Sequence, residues 1–144
     1  MNPREFQKLA SALVAGKTPA AIRTAISRAY YATHNVGAEI LKEMGFRISE
    51  GPSGHGDVWN RFSNSGNSEV MKVGSQLSDL YAMRIHADYR LNRTDVENQK
   101  TAQGFVEQAN RMIKILDENC SGLEKNQIIK AIKDWEKKVF GGGG

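Results

Sequence analysis

The sequence predicts an all-α protein, an up-and-down bundle of five to six helices. Three observations carry that expectation. Apolar residues recur at three-to-four spacing in each long segment. Capping side chains followed by proline, or by glutamate three residues on, mark helix starts. No alternating strand pattern of useful length occurs anywhere in the 144 residues. Residues 1–140 are read as one domain, and the terminal Gly141–Gly144 as a linker or cloning scar.

Asn2-Pro3-Arg4-Glu5 reads as the first helix start, with Phe6, Leu9, Ala10, Leu13 and Val14 as its apolar stripe and Gly16-Lys17 as its end. Thr18-Pro19 repeats the signal and opens the longest helix, running to about Met44 with Gly45 as its stop. Its core stripe is Ile22, Ile26, Ala29, Tyr30, Thr33, Gly37, Ile40, Leu41 and Met44. Almost opposite lie Thr24, Arg28, Tyr31 and Asn35 between small alanines, a face suited to another helix or another chain.

Residues 46–68 read as the irregular part, dense in turn formers, with one short helix carrying Val58, Trp59 and Phe62. His55, between two glycines, is expected on a loop or exposed. A helix from about Glu69 to Asp88 or Tyr89 follows. Thr94-Asp-Val-Glu97 reads as a capping box for a helix with the stripe Ala102, Phe105, Val106, Ala109, Met112, Ile113 and Leu116. Ser121-Gly-Leu-Glu124 reads as another, opening a last helix with Leu123, Ile128, Ile132, Trp135 and Val139.

Composition narrows the function. The chain is 40% hydrophobic and 25% charged, as in ordinary globular domains, and its apolar runs are too short for a membrane span. An N-terminus without a signal-peptide core and a lone Cys120 point to the cytoplasm. A net charge of +4 mildly favours an anionic partner. Three scattered histidines and one cysteine give no metal-ligand spacing, and no glycine-rich phosphate loop follows a strand, so neither metal nor cofactor is expected.

The most informative stretch is Leu80–Arg93. The stripe Val70, Val73, Leu77, Leu80, Tyr81 continues at helical spacing into Arg84 and Asp88. A guanidinium on a core-facing stripe needs a partner, and Asp88, one turn on, is the nearest. His86 and Tyr89 follow, then Arg90 and Arg93. Arg84, Arg90 and Arg93, with Arg23 and Arg28 from the long helix, form a basic cleft if the two helices pack together.

Two motifs on these helices resemble a known family. Ser27-Arg28-Ala29-Tyr30-Tyr31-Ala32 and Arg84-Ile85-His86-Ala87-Asp88-Tyr89 are similar to the S-R-x-Y-Y-A and R-x-x-A-D-Y segments of small HEPN-domain proteins, over roughly residues 3–120. The resemblance implies a helical bundle that commonly forms a homodimer. It also implies a defence or toxin–antitoxin setting, often beside a minimal nucleotidyltransferase. Catalytic members of the family are metal-independent endoribonucleases that use an arginine and, after four to six intervening residues, a histidine. By that resemblance Arg84 is the arginine, but Ile85 stands where a polar residue is usual and Tyr89 where the histidine is expected.

Three readings follow. The first is an RNA- or nucleotide-binding module with Arg28, Tyr31, Asp88, Arg90 and Arg93 along its binding or dimer cleft. The second is an endoribonuclease toxin using Arg84 with His86 or Tyr89. The third is a structural dimerisation domain in which Arg84–Asp88 is packing. The missing histidine ranks binding ahead of catalysis, because a tyrosine with a pKa near 10 is a poor base at neutral pH.

Overall fold

In the computed structural model, which describes residues 1–141, the Asn2 side chain accepts a hydrogen bond from the Arg4 backbone N–H at 3.0 Å and starts α1 (Arg4–Leu13). Thr18 accepts from the Ala21 N–H at 3.2 Å, Pro19 fills the first turn, and α2 (Pro19–Glu43) follows. Gly45, at φ +98°, takes the left-handed conformation that ends it, and the Phe46 N–H closes back on the Leu41 carbonyl at 2.9 Å. The remaining helices are α3 (Ser53–Ser63), α4 (Ser68–Tyr89), α5 (Gln99–Asn119) and α6 (Glu124–Val139), with a 3-10 turn at Asp95–Glu97. The expected all-α class is what is found: no strand occurs among the described residues. The glycine tail from Gly142 onward lies outside them.

Helix α2 is the central element, in contact with α1, α3, α4 and α5. Its Ile26, Tyr30 and Leu41 are buried with Phe62 of α3, Leu77 and Leu80 of α4, and Met112 and Leu116 of α5. The alanine-flanked back face is partly covered within the chain: Ala32 and Val36 pack with Ile113 of α5 and Phe6 of α1. Helix α6 contributes Ile128 and Ile132 to the core and is tied down by Arg61. That guanidinium donates to Glu136 Oε2 at 2.8 and 3.1 Å and lies 5.6 Å from the Trp135 ring centroid.

Helices α3 and α4 cross at Gly74. A Cβ there would lie 2.4 Å from Ser63 Oγ, 2.6 Å from Ser63 N and 2.8 Å from Trp59 O, and two of those atoms are backbone that cannot swing aside. Alanine favours the helix by about 1 kcal/mol, but forcing two backbones apart costs about 1–3 kcal/mol. Gly74→Ala is therefore expected to destabilise by up to about 2 kcal/mol, read as a lower urea midpoint at unchanged slope.

Several expectations need correction. Residues 53–63 are one continuous helix, so His55 sits in its first turn, half-buried, and not on a loop. The neighbouring glycine permits this: a Cβ on Gly54 would meet the Ser49 carbonyl oxygen at 2.0 Å. Thr94 makes no capping bond, because its box folds as the 3-10 turn; Asn98 caps α5 instead, accepting from the Thr101 N–H at 3.0 Å. The start of α6 has no side-chain cap, so Ser121 does not act as one. On α1, Leu9 is exposed, and Gln7 is buried in its place, donating to the Val106 carbonyl at 2.9 Å.

Candidate functional site

The site is built at the C-terminal end of α4, where a buried arginine from another helix holds the backbone. Arg23 of α2 donates from Nη1 to the carbonyls of His86, Ala87 and Arg90 at 3.2, 3.0 and 3.3 Å. From Nη2 it donates to those of Leu91 and Arg93 at 3.2 and 2.6 Å. Glu97 Oε2 takes Nε and Nη2 at 2.8 and 2.6 Å. The last carbonyls of a helix have no intrahelical donor, so one side chain satisfies the end of α4 and fixes the turn after it. Arg23 is thereby consumed as a strut and is no part of a basic cleft.

One turn earlier, Arg84 is 7% exposed. Its Nε lies 3.1 Å from Asp88 Oδ2, yet the N–H is not aimed at that oxygen, so the pair is held by charge and proximity and not by an aligned hydrogen bond. Nη2 donates to the Tyr31 hydroxyl. The guanidinium carbon stands 4.9, 5.8 and 5.6 Å from the ring centroids of Tyr31, Tyr81 and Tyr89, a three-tyrosine cage. Ser27 donates to Asp88 Oδ2 at 3.0 Å, which joins the two sequence motifs across the α2–α4 packing. Arg28 stacks on the same Tyr31 ring at 4.8 Å and on Phe6 at 5.1 Å, and has no carboxylate partner among the described residues.

Beside this cage lies a cluster that the residue pattern did not reveal. Tyr30 Oη and His55 Nδ1 share a hydrogen bond of 2.5 Å. The ring centroids of His34 and His55 are 4.8 Å apart, those of His55 and Tyr81 4.8 Å, and those of Tyr81 and Trp59 5.3 Å. Burial, then the neighbouring His55, then Lys42 lower the His34 pKa to about 4. His55 is lowered too, by burial and then by the charge of Arg84. Burial raises the Tyr30 phenol, so at neutral pH Tyr30, His34 and His55 are uncharged against an arginine cation. One local signal pointed to His55: it stands three, four and seven residues before Val58, Trp59 and Phe62, on their helical stripe.

The structure thus brings Arg28, Tyr31, Arg84, Asp88 and Tyr89 together. His86 is placed elsewhere: its Nε2 is 3.3 Å from Arg93 Nη1, and Arg93 is itself bound to Asp95 at 2.8 and 2.9 Å. Arg90 is exposed on the turn after α4, and its carbonyl is one of those that Arg23 holds. Among the described residues no helix is long and apolar enough to cross a membrane, and no three His, Cys, Asp or Glu side chains converge as a metal site would require. Comparison with family models, curated proteins and solved structures finds no match to the chain.

Proposed function

We propose that the chain is an RNA- or nucleotide-binding helical module of the HEPN kind, with Arg28 and Tyr31 as its contact residues and Arg84 behind them. One observation carries this reading. Two guanidiniums lie within 5 Å of the Tyr31 ring centroid, while among the described residues Asp88 is the single carboxylate paired with either. The patch therefore keeps a net positive charge on an aromatic surface, which suits phosphate beside a stacked base. Arg84, buried and bonded to the Tyr31 hydroxyl, orients that ring; Arg28, half-buried and free of acids, is the group that meets a phosphate. Homodimerisation, a defence or toxin–antitoxin role and a nucleotidyltransferase partner belong to the same proposal and rest on the motif resemblance.

The test is binding of labelled single-stranded RNA in EDTA across a salt series. Arg28→Ala should keep its melting temperature, weaken binding about tenfold and reduce the salt slope by about one. Unchanged affinity and slope in that variant would remove the proposal and favour a structural role for the patch.

A metal-independent ribonuclease is the second reading, and His55 favours it. A neutral imidazole beside Arg84 supplies the base that His86, turned toward Arg93, does not. It would take the 2′-hydroxyl proton as the 2′-oxygen attacks the adjacent phosphorus, and return it to the 5′-oxygen as that bond to phosphorus breaks, while arginine stabilises the phosphate charge. In the same EDTA reactions, cutting that disappears in folded His55→Gln and persists in His86→Gln assigns the base.

A further inference from the structure

The connected rings beside the arginines supply a feature that a phosphate contact alone does not need. His34 on α2, His55 and Trp59 on α3, and Tyr81 on α4 form one continuous strip, each ring 4.8–5.3 Å from the next. Neighbouring rings of the strip are tilted by 41–53°, and His34 alone rests one face nearly flat, at 20°, on the buried Tyr30. All four side chains are half-buried, with part of each left at the surface. Tyr81 also borders the Arg84 guanidinium, so the strip begins where the cationic patch ends.

The fully buried contacts of these helices are apolar, as at Phe62, Leu77 and Leu80, and Trp59 and Tyr81 pack against that core. Here the positions are held by two imidazoles, a phenol and an indole, and His34 keeps a buried Nδ1 without a hydrogen-bond partner. Aromatic groups at a surface, contiguous with cations, are what a single strand uses: phosphates take the charge, and bases stack on ring faces. A duplex presents no free base face, so the occupant has to be unpaired.

We infer that the strip His34–His55–Tyr81–Trp59 is a stacking platform for the unpaired bases of a single-stranded RNA whose phosphate lies on Arg28. The inference rests on the RNA-binding reading and goes further, because it names the strand state and the site of the bases. Purines, with the larger ring surface, stack best.

Trp59 gives the platform its own reporter. In a Trp135→Phe background, which leaves Trp59 as the only indole, a six-residue oligoadenylate is titrated in EDTA and indole fluorescence recorded. Inorganic tripolyphosphate, which has charge but no base, is titrated in parallel. Oligoadenylate should quench Trp59, tripolyphosphate should compete for the site without quenching, and Tyr81→Leu should weaken oligoadenylate binding about tenfold. Tyr81→Phe, which keeps the ring, should restore it. If oligoadenylate binds through Arg28 with Trp59 fluorescence unchanged and Tyr81→Leu neutral, the platform is wrong and the binding module stands. If neither ligand binds the folded protein, both fall together.

Discussion

Arg23→Met is expected to cost about 3–5 kcal/mol of folding stability, the range for removing one partner of a buried charge network. Five backbone carbonyls between His86 and Arg93 take hydrogen bonds from this guanidinium, and Glu97 balances its charge. Methionine fills much of the volume but donates nothing. The Ala87, Leu91 and Arg93 carbonyls and the Glu97 carboxylate are then left to water that reaches them poorly, while the His86 and Arg90 carbonyls keep the backbone N–H groups of Arg90 and Arg93 at 3.0 and 2.9 Å. For a domain of this size the melting temperature should fall by roughly 10 °C. The loss should also be local, with amide exchange quickening first over residues 86–93. Arg23→Lys should recover little, because an ammonium cannot reproduce the planar fork that reaches carbonyls on both sides. A loss below about 1 kcal/mol would mean that water satisfies this helix end unaided.

That strut was not legible in the sequence, and the reason is physical. Arg23 sits on a helix among alanines and threonine, and its acidic partner is 74 residues away. No local rule links them; only packing of α2 against the end of α4 does. The same limit hid the cluster of His34, His55, Tyr81 and Trp59, whose members come from three helices, and the flanking glycines drew His55 toward a loop reading. What could be read was local. Thr18-Pro19 and Gly45 bounded α2 because caps and left-handed glycines act within a turn. Arg84 and Asp88 could be paired because helical geometry sets residues four apart side by side. The two capping boxes failed for a related reason: a Ser or Thr with a Glu three residues on offers a cap, but the chain trajectory decides whether the offer is taken. At residues 94–98 the 3-10 turn moved the start to Asn98.

Acid should loosen the α2–α3 contact, and His34 sets the window. Its ring is flanked on α2 by Tyr30, 5.7 Å away between centroids, and on α3 by His55 at 4.8 Å. Lys42 on α2 and, against His55, Arg84 and Tyr81 on α4 complete the surrounding groups, and none of them is an acid. A proton on His34 would thus enter a site with cations near it and no anion to meet it. The folded protein holds His34 near pKa 4, against 6.5 for the unfolded chain, so the unfolded state takes up the proton first. Its contribution to stability is complete above about pH 6.5 and drains away as pH falls toward 4. At 1.36 kcal/mol per pKa unit, discounted for the part of the ring still in water, the loss by pH 4.5 is on the order of 2 kcal/mol. Carboxylates titrate in the same range, so the decisive comparison is with His34→Phe, which keeps a stacked ring and has nothing to protonate. Wild type should lose about 2 kcal/mol relative to that variant between pH 7.5 and pH 4.5, read from urea unfolding at each pH. Parallel stability curves for the two proteins would show that His34 titrates as freely as a surface histidine, and the packed histidine pair would then be open to water.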